Sequence, residues 1–314
     1  MIGVFNNSLP GFETHTPTQT LDAAKALGLD AVMFGNILTI SPTLDHTLLG
    51  QVASEAAERR LKLAAGIGSF NPSRPDRAKA LVDAGYGDMT TGLGNALRAA
   101  KALGVPSLFF VVGMIEDRDD PDLPWQTQLD SVVAGLKAVA PVVRETGVKL
   151  LIKTHEEITT FEILRIIDAV GADVLGVAHD PVNVVCRIED AVEATRRIAP
   201  HIAQVHVDNC YQTFDGDLMR RYLCPMTDGD LDWPAILELS GDVMWWVEFH
   251  RGQFAMPIFD RAWVAAQSDI TLDEYRGLVA GTVKRARENA SVPDQVDVFK
   301  RLAPAIAWLR GHQG

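Results

Sequence analysis

The chain has 314 residues, 47% of them hydrophobic, and a formal net charge of -12 at pH 7; that length can bury a large core as two ordinary domains or as one α/β barrel. The negative charge, with no sustained basic stretch, excludes a general nucleic-acid binder, which needs a Lys/Arg surface against phosphates. No apolar run approaches the roughly 20 residues of a membrane span, Met1 leads directly into a short strand, and Cys186, Cys210 and Cys224 match no disulfide or zinc spacing, so a cytoplasmic protein with free thiols and no membrane partner is expected.

In chain order, β-type runs are predicted at 2–6 (IGVFN), 30–35 (DAVMFG), 62–68 (KLAAGIG) and 107–113 (SLFFVVG). Four more follow at 148–155 (VKLLIKTH), 173–180 (DVLGVAHD), 202–208 (IAQVHVD) and 243–250 (VMWWVEFH). Between and after them, apolar residues at i, i+3 and i+4 predict helices at 17–28, 43–61, 87–104, 125–146, 159–170, 188–198, 232–240 and 271–290. Gly28, Gly104, Gly147 and Gly171 follow helical patterns where a left-handed residue ends the turn, and Thr159 with Glu162 makes a capping box. Eight βα units predict one (β/α)8 TIM barrel spanning 1–314. A doubly wound sheet would alternate in the same way, but no GxGxxG or Walker loop stands where a nucleotide fold needs one. Residues 297–311 add a ninth helix, with Phe299, Leu302, Ile306 and Leu309 on one stripe, expected to close the barrel floor or make a subunit contact. The acidic loop 114–124 and the long aromatic stretch 209–231 leave the opposite face and read as lids or binding surfaces.

Three hydrophobic runs end in a ligand-type residue or carry one near their end: Asp180 after VLGVAH, His206 after HIAQV, and Glu248 after VMWWV. Strand parity places Lys153 with His155, His206 with Asp208, and Glu248 with His250 on shared inward faces. Carboxylates that end apolar strands are difficult to explain by packing alone, and the set Asp180, His206 and Glu248 suits a catalytic divalent ion. The plainer reading is a salt-bridge network of Lys153 with these acids. His179, of opposite parity to Asp180, is expected to pack between strand and helix. Asn6, Asn7 and Asn71 read as turn formers at least as well as site residues, and Phe34, Phe70, Trp125, Tyr211 and Trp246 as core or loop anchors. Cys210 is expected to be a packed thiol rather than a nucleophile.

In IKTHEEITTFEILRIIDAVG (152–171), VLGVAHDPVN (174–183), IAQVHVDN (202–209) and WVEFH (246–250), the chain resembles the xylose isomerase-like TIM barrels, a superfamily of sugar isomerases and epimerases that also includes endonuclease IV. The resemblance implies a metal, Mn²⁺ first and Mg²⁺, Co²⁺ or Zn²⁺ otherwise, held by Glu, Asp, His and Glu at the ends of strands five to eight. Asp180, His206 and Glu248 match three of those positions. Where the family has Glu-Asn-His, this chain has Lys153-Thr154-His155, so a cation replaces a ligating carboxylate. Glu156, with Glu157 as the other choice, could restore the ligand from the following loop; otherwise water completes a three-ligand site, or Lys153 replaces the metal.

Such a centre abstracts a proton beside a sugar carbonyl and stabilises the enediolate. Glu248 is a ligand that could also move a proton, His155 a candidate acid or base, and Lys153 a group that polarises a substrate oxygen. His250, Arg251 and Asp208 are candidates for binding substrate. The expected function is a lyase on a 3-keto glycoside, as in the catalytic subunits of C-glycoside deglycosidases, with an isomerase or epimerase as the alternative. The implied partners are a small carbohydrate, further copies of the chain in a homo-oligomer, and a small partner subunit over the mouth. A DNA-repair hydrolase would need more ligands and a basic face; a metal-free binding barrel is the remaining alternative.

Overall fold

The computed structural model describes residues 1–287 and 297–312. Eight parallel strands close into a barrel: β1 (Ile2–Phe5), β2 (Ala31–Phe34), β3 (Lys62–Ser69), β4 (Ser107–Val111), β5 (Lys149–Lys153), β6 (Leu175–His179), β7 (Ile202–Val207) and the eighth, Met244–Val247. The neighbours of that last strand are β7 and β1, where Ile2 pairs with Trp245. This is the expected (β/α)8 TIM barrel, and six of its helices start at a side-chain cap. Thr16 and Thr159 make reciprocal capping boxes with Gln19 and Glu162, and Asp45, Asp88, Asp190 and Asp232 accept from first-turn amides. Among the described residues no helix is long and apolar enough to cross a membrane.

Parity sorts the side chains. Phe5, Met33, Ala64, Phe109, Leu151, Ala178 and Trp246 point inward and fill the barrel with an apolar plug, while the alternate residues join the larger core beneath the helices. Two glycines make room for this plug. A Cβ on Gly3 would lie 2.4 Å from the Trp246 ring, and one on Gly66 would lie 2.6 Å from the Phe109 ring and the Gly35 carbonyl.

Two sequence expectations need correction. The stretch 209–231 is not chiefly a loop: β8 (Asn209–Asp215) and β9 (Leu218–Cys224) form an antiparallel hairpin turned at Gly216 in the left-handed region, and Ala255–Met256 adds a third strand. The predicted helix 271–290, seen here as Leu272–Arg287, packs on that hairpin around Met219, Met256, Ile258 and Leu278 rather than on the barrel; its last three predicted residues lie outside the described residues. The helix in the eighth barrel position is the final one, Leu302–Gly311, which buries Leu302, Ala305, Ile306 and Leu309 against β1 and the eighth strand. Its stripe was legible. Its place was not, because the intervening hairpin and helix form a separate small layer.

Candidate active site

The apolar plug ends one residue short of the C-terminal mouth, and the next inward residues are charged. Lys153 closes β5, Asp180 follows β6, His206 lies in β7 and Glu248 follows the eighth strand. All four are buried. One ligand atom from each of Asp180, His206 and Glu248 falls within 4.8 Å of the others, so this group could hold a metal ion.

Lys153 stands among them. Its Nζ is 2.7 Å from each oxygen of Glu248 and 3.0 Å from Asp180 Oδ2. Burial alone would lower the pKa of the ammonium; the charges of Glu248 and Asp180 outweigh that and hold it above its ordinary value. Burial likewise opposes ionisation of Glu248, yet Lys153 and His206 hold its carboxyl down at about 2. Asp180 is depressed further, against the same desolvation, by His250 and Lys153.

His206 is fully engaged. Gln204 Nε2 lies 3.0 Å from its Nε2, and its Nδ1 bonds to Glu248 Oε2. An amide N–H donating to Nε2 leaves the proton on Nδ1, donated to Glu248; desolvation favours this neutral ring by lowering the pKa. The rings of Phe5 and Phe109 flank it at 6.3 and 5.5 Å.

Asp180 is held asymmetrically. Its Oδ2 meets Lys153, His250 Nε2 at 2.8 Å and Asn183 Nδ2 at 3.0 Å, whereas Oδ1 is buried with no hydrogen-bond partner among the described residues. Thr154 fixes the backbone beneath it, its hydroxyl accepting from Asp180 N at 2.6 Å and donating to Asp180 O at 3.1 Å. A buried carboxylate oxygen without a donor is costly and marks where a ligand O–H or a cation would be welcome.

The remaining sequence candidates divide. His250 joins the centre, bridging Asp180 to Asp208 at 2.8 and 3.2 Å; burial opposes its charge, but the Asp180 carboxylate and the bond to Asp208 raise its pKa to about 9. Asp208 turns away from open space and accepts from His250 N and from Arg301 Nη1 at 3.1 Å. Arg251 lies at the rim, donating to Asn7 O and stacked between Phe12 and Phe299. β5 ends at Lys153, so the parity that paired it with His155 no longer applies two residues on. His155 instead forms a second group with Glu156 and Glu157, its Nε2 2.8 Å from Glu156 and its Nδ1 2.6 Å from Glu157. Burial works against its charge, and the two carboxylates raise it to about 10. Glu156 therefore sits with His155 and not in the trio of Asp180, His206 and Glu248.

Other residues follow their plainer readings. His179 hydrogen-bonds Thr195 and Thr154 behind the strand, Asn71 bonds Gln128 and Ser73, and burial pushes the Cys210 thiol well above its ordinary range. Sequence reasoning missed Arg301, Gln204 and Asn183. Gln204 shares the parity of His206 and Asn183 lies three residues after Asp180, so both carried a local signal; Arg301, 93 positions from Asp208, carried none.

A divalent ion fits this arrangement poorly. Both Glu248 oxygens face the ammonium, both His206 nitrogens are hydrogen-bonded, and of the carboxylate oxygens in this group Asp180 Oδ1 alone lacks a hydrogen-bond partner among the described residues.

Residues 21–239 match the family model described as Xylose isomerase-like TIM barrel. The chain is similar to 3-oxo-isoapionate decarboxylase of Pectobacterium atrosepticum, 28% identical over 109 residues; the match covers 34% of this chain and 40% of that protein. Among solved structures, D-psicose 3-epimerase in the presence of D-fructose superposes with a TM-score of 0.65 at 16% identity, covering 99% of this chain and 98% of the other. L-ribulose 3-epimerase gives 0.63 at 18% identity, covering 98% and 93%. At such identities these structures speak for the fold.

Proposed function

This chain belongs to the Xylose isomerase-like TIM barrel family, and from that premise we propose that it is a carbohydrate enzyme that forms an enolate on a 3-keto sugar or keto-sugar acid and acts as a lyase. The observation that carries the reading is the buried ammonium of Lys153, held between Glu248 and Asp180 at the mouth of the barrel. Loss of a proton, of carbon dioxide or of a leaving group next to a carbonyl sends an electron pair to the carbonyl oxygen. A fixed N–H donor aimed at that oxygen is worth most in a dry site.

The other residues fall into roles around it. Asp180 Oδ1 accepts a substrate hydroxyl. Glu248 is the carboxylate placed to take a proton, and the His250 imidazolium, 4.0 Å from Glu248 Oε1, is the acid placed to return one. The similarity to a 3-oxo acid decarboxylase supports this reading, since that reaction class also passes through an enolate. The long hairpin beside the mouth is consistent with a homo-oligomer or a small partner subunit covering it.

The test is a screen of 3-oxo-glycosides, 3-oxo sugar acids and free keto-sugars in D₂O, followed by mass spectrometry. Fragments or carbon dioxide support the lyase. Deuterium in an uncleaved epimer or isomer supports the isomerase reading instead, and no turnover with any of them overturns both.

A further inference from the structure

We propose that Lys153 is the resident cation of this centre, standing where a divalent ion would bind, and that the native chain excludes such an ion from Asp180, His206 and Glu248. The inference rests on the reading above, in which this centre meets a developing oxyanion, but its geometry is independent of any substrate.

The position is specified by the fold. Lys153 is the last residue of β5, in register with Ala178 of β6, and its inward parity carries the ammonium to the point between Asp180 and Glu248. The three contacts at 2.7, 2.7 and 3.0 Å occupy three of the four carboxylate oxygens of Glu248 and Asp180, leaving Asp180 Oδ1. The ammonium has no alternative seat close by. Below it lie the rings of Phe5, Phe109 and Trp246, with the Phe5 centroid 5.9 Å from Nζ, and the residue is 3% exposed. Turning aside would move a charge from two carboxylates to an aromatic floor, a costly exchange even with a cation–π contact. Adding a dication while Lys153 stays would place two further positive charges beside two carboxylates that already face the Lys153 ammonium and His250.

The substitution changes the kind of recognition. A divalent ion gathers two or more substrate oxygens into its coordination sphere, whereas this ammonium, whose three N–H donors face Glu248 and Asp180, reaches a substrate oxygen by sharing or releasing one of those bonds. A lone carbonyl would satisfy this centre; a hydroxyl next to the carbonyl would not be required.

The experiment uses Mn²⁺ as the probe, on full-length protein purified without chelator, by elemental analysis and by titration followed with electron paramagnetic resonance. The wild type should carry no stoichiometric divalent metal and leave added Mn²⁺ free. Lys153→Ala and Lys153→Glu should each bind one Mn²⁺ per chain, at least ~100-fold more tightly than the wild type, because a like charge beside the ligands is gone. Asp180→Asn in either background should remove that binding. One Mn²⁺ bound per wild-type chain and lost in Asp180→Asn would overturn the proposal, a measurement that stands even where a Lys153 variant does not fold. So would a folded Lys153→Glu that still binds no Mn²⁺. Because no substrate enters, an inactive outcome in the sugar screen refutes the functional reading and leaves this one standing.

Discussion

Lys153 Nζ lies 2.7 Å from both carboxylate oxygens of Glu248, a contact that joins two strands across 95 positions of sequence in a fully buried setting. A buried pair of this kind is worth little against an apolar substitute, but removing one member strands the other. Lys153→Ala should therefore lower stability by about 3–5 kcal/mol, read by urea denaturation at neutral pH. The double variant Lys153→Met with Glu248→Gln should recover much of that loss. Two additive losses would mean that the residues do not act as a pair.

Catalysis should separate from stability at Glu248. Glu248→Gln keeps the shape and the carbonyl contact to Lys153 but removes the charge that takes up a proton. On whichever substrate the screen identifies, kcat should fall by about 10²–10³-fold, with near-unchanged KM. An equal rise in KM would place Glu248 in binding instead.

The centre also sets a pH response. His250 has its folded pKa raised to about 9 from 6.5, with burial opposing and Asp180 and Asp208 prevailing. A raised value means that the stabilisation is complete below the unfolded pKa and is lost as pH climbs through the folded one. Stability should thus fall between about pH 6.5 and 9, by on the order of 3 kcal/mol from this residue. His155, raised to about 10 by Glu157 and Glu156 against burial, adds to the fall over an overlapping window. Urea midpoints measured from about pH 6 to 10 should show a shallower decline in His250→Asn than in the wild type. An unchanged slope would mean that His250 is neutral in the folded chain.

Arg301→Ala should destabilise the fold by about 3–5 kcal/mol, because Asp208 is left buried beside one remaining cation. Arg301→Lys should recover only part, since a single ammonium cannot reach both Asp208 and the carbonyls of Cys224 and His250 that the guanidinium bridges. Denaturation curves decide, and near-wild-type stability in Arg301→Ala would remove the C-terminal segment from the description of the site.

Much of this was legible in the chain. Eight short β-type runs mark the strands, and alternation along them puts Lys153, His206 and Glu248 on inward faces. What failed did so for physical reasons. His155 was read through a strand that stops at Lys153, and parity has no meaning once the backbone leaves the ladder. The hairpin at 209–224 carried its own signal in Asp215-Gly216-Asp217 between two seven-residue strands, which the aromatic content obscured. The eighth barrel helix was misassigned because Leu272–Arg287 has the stronger claim by order and Leu302–Gly311 the stronger claim by packing. Arg301 was invisible, since no local pattern marks a guanidinium destined for a carboxylate in another unit.

The final helix runs the height of the barrel. Arg301 at its head reaches Asp208 at the mouth, and Arg310 near its foot donates to the carbonyls of Leu27 and Gly28 in the turn after the first helix. The sheet itself closes only when Ile2 meets Trp245. During synthesis, then, most of the polypeptide emerges before the sheet can join or Asp208 can meet its guanidinium. A nascent chain with seven strands already made still carries bare acids at its mouth. Competence should arrive late and in one step, with the last helix acting as the bolt that secures a ring whose two ends are made first and last.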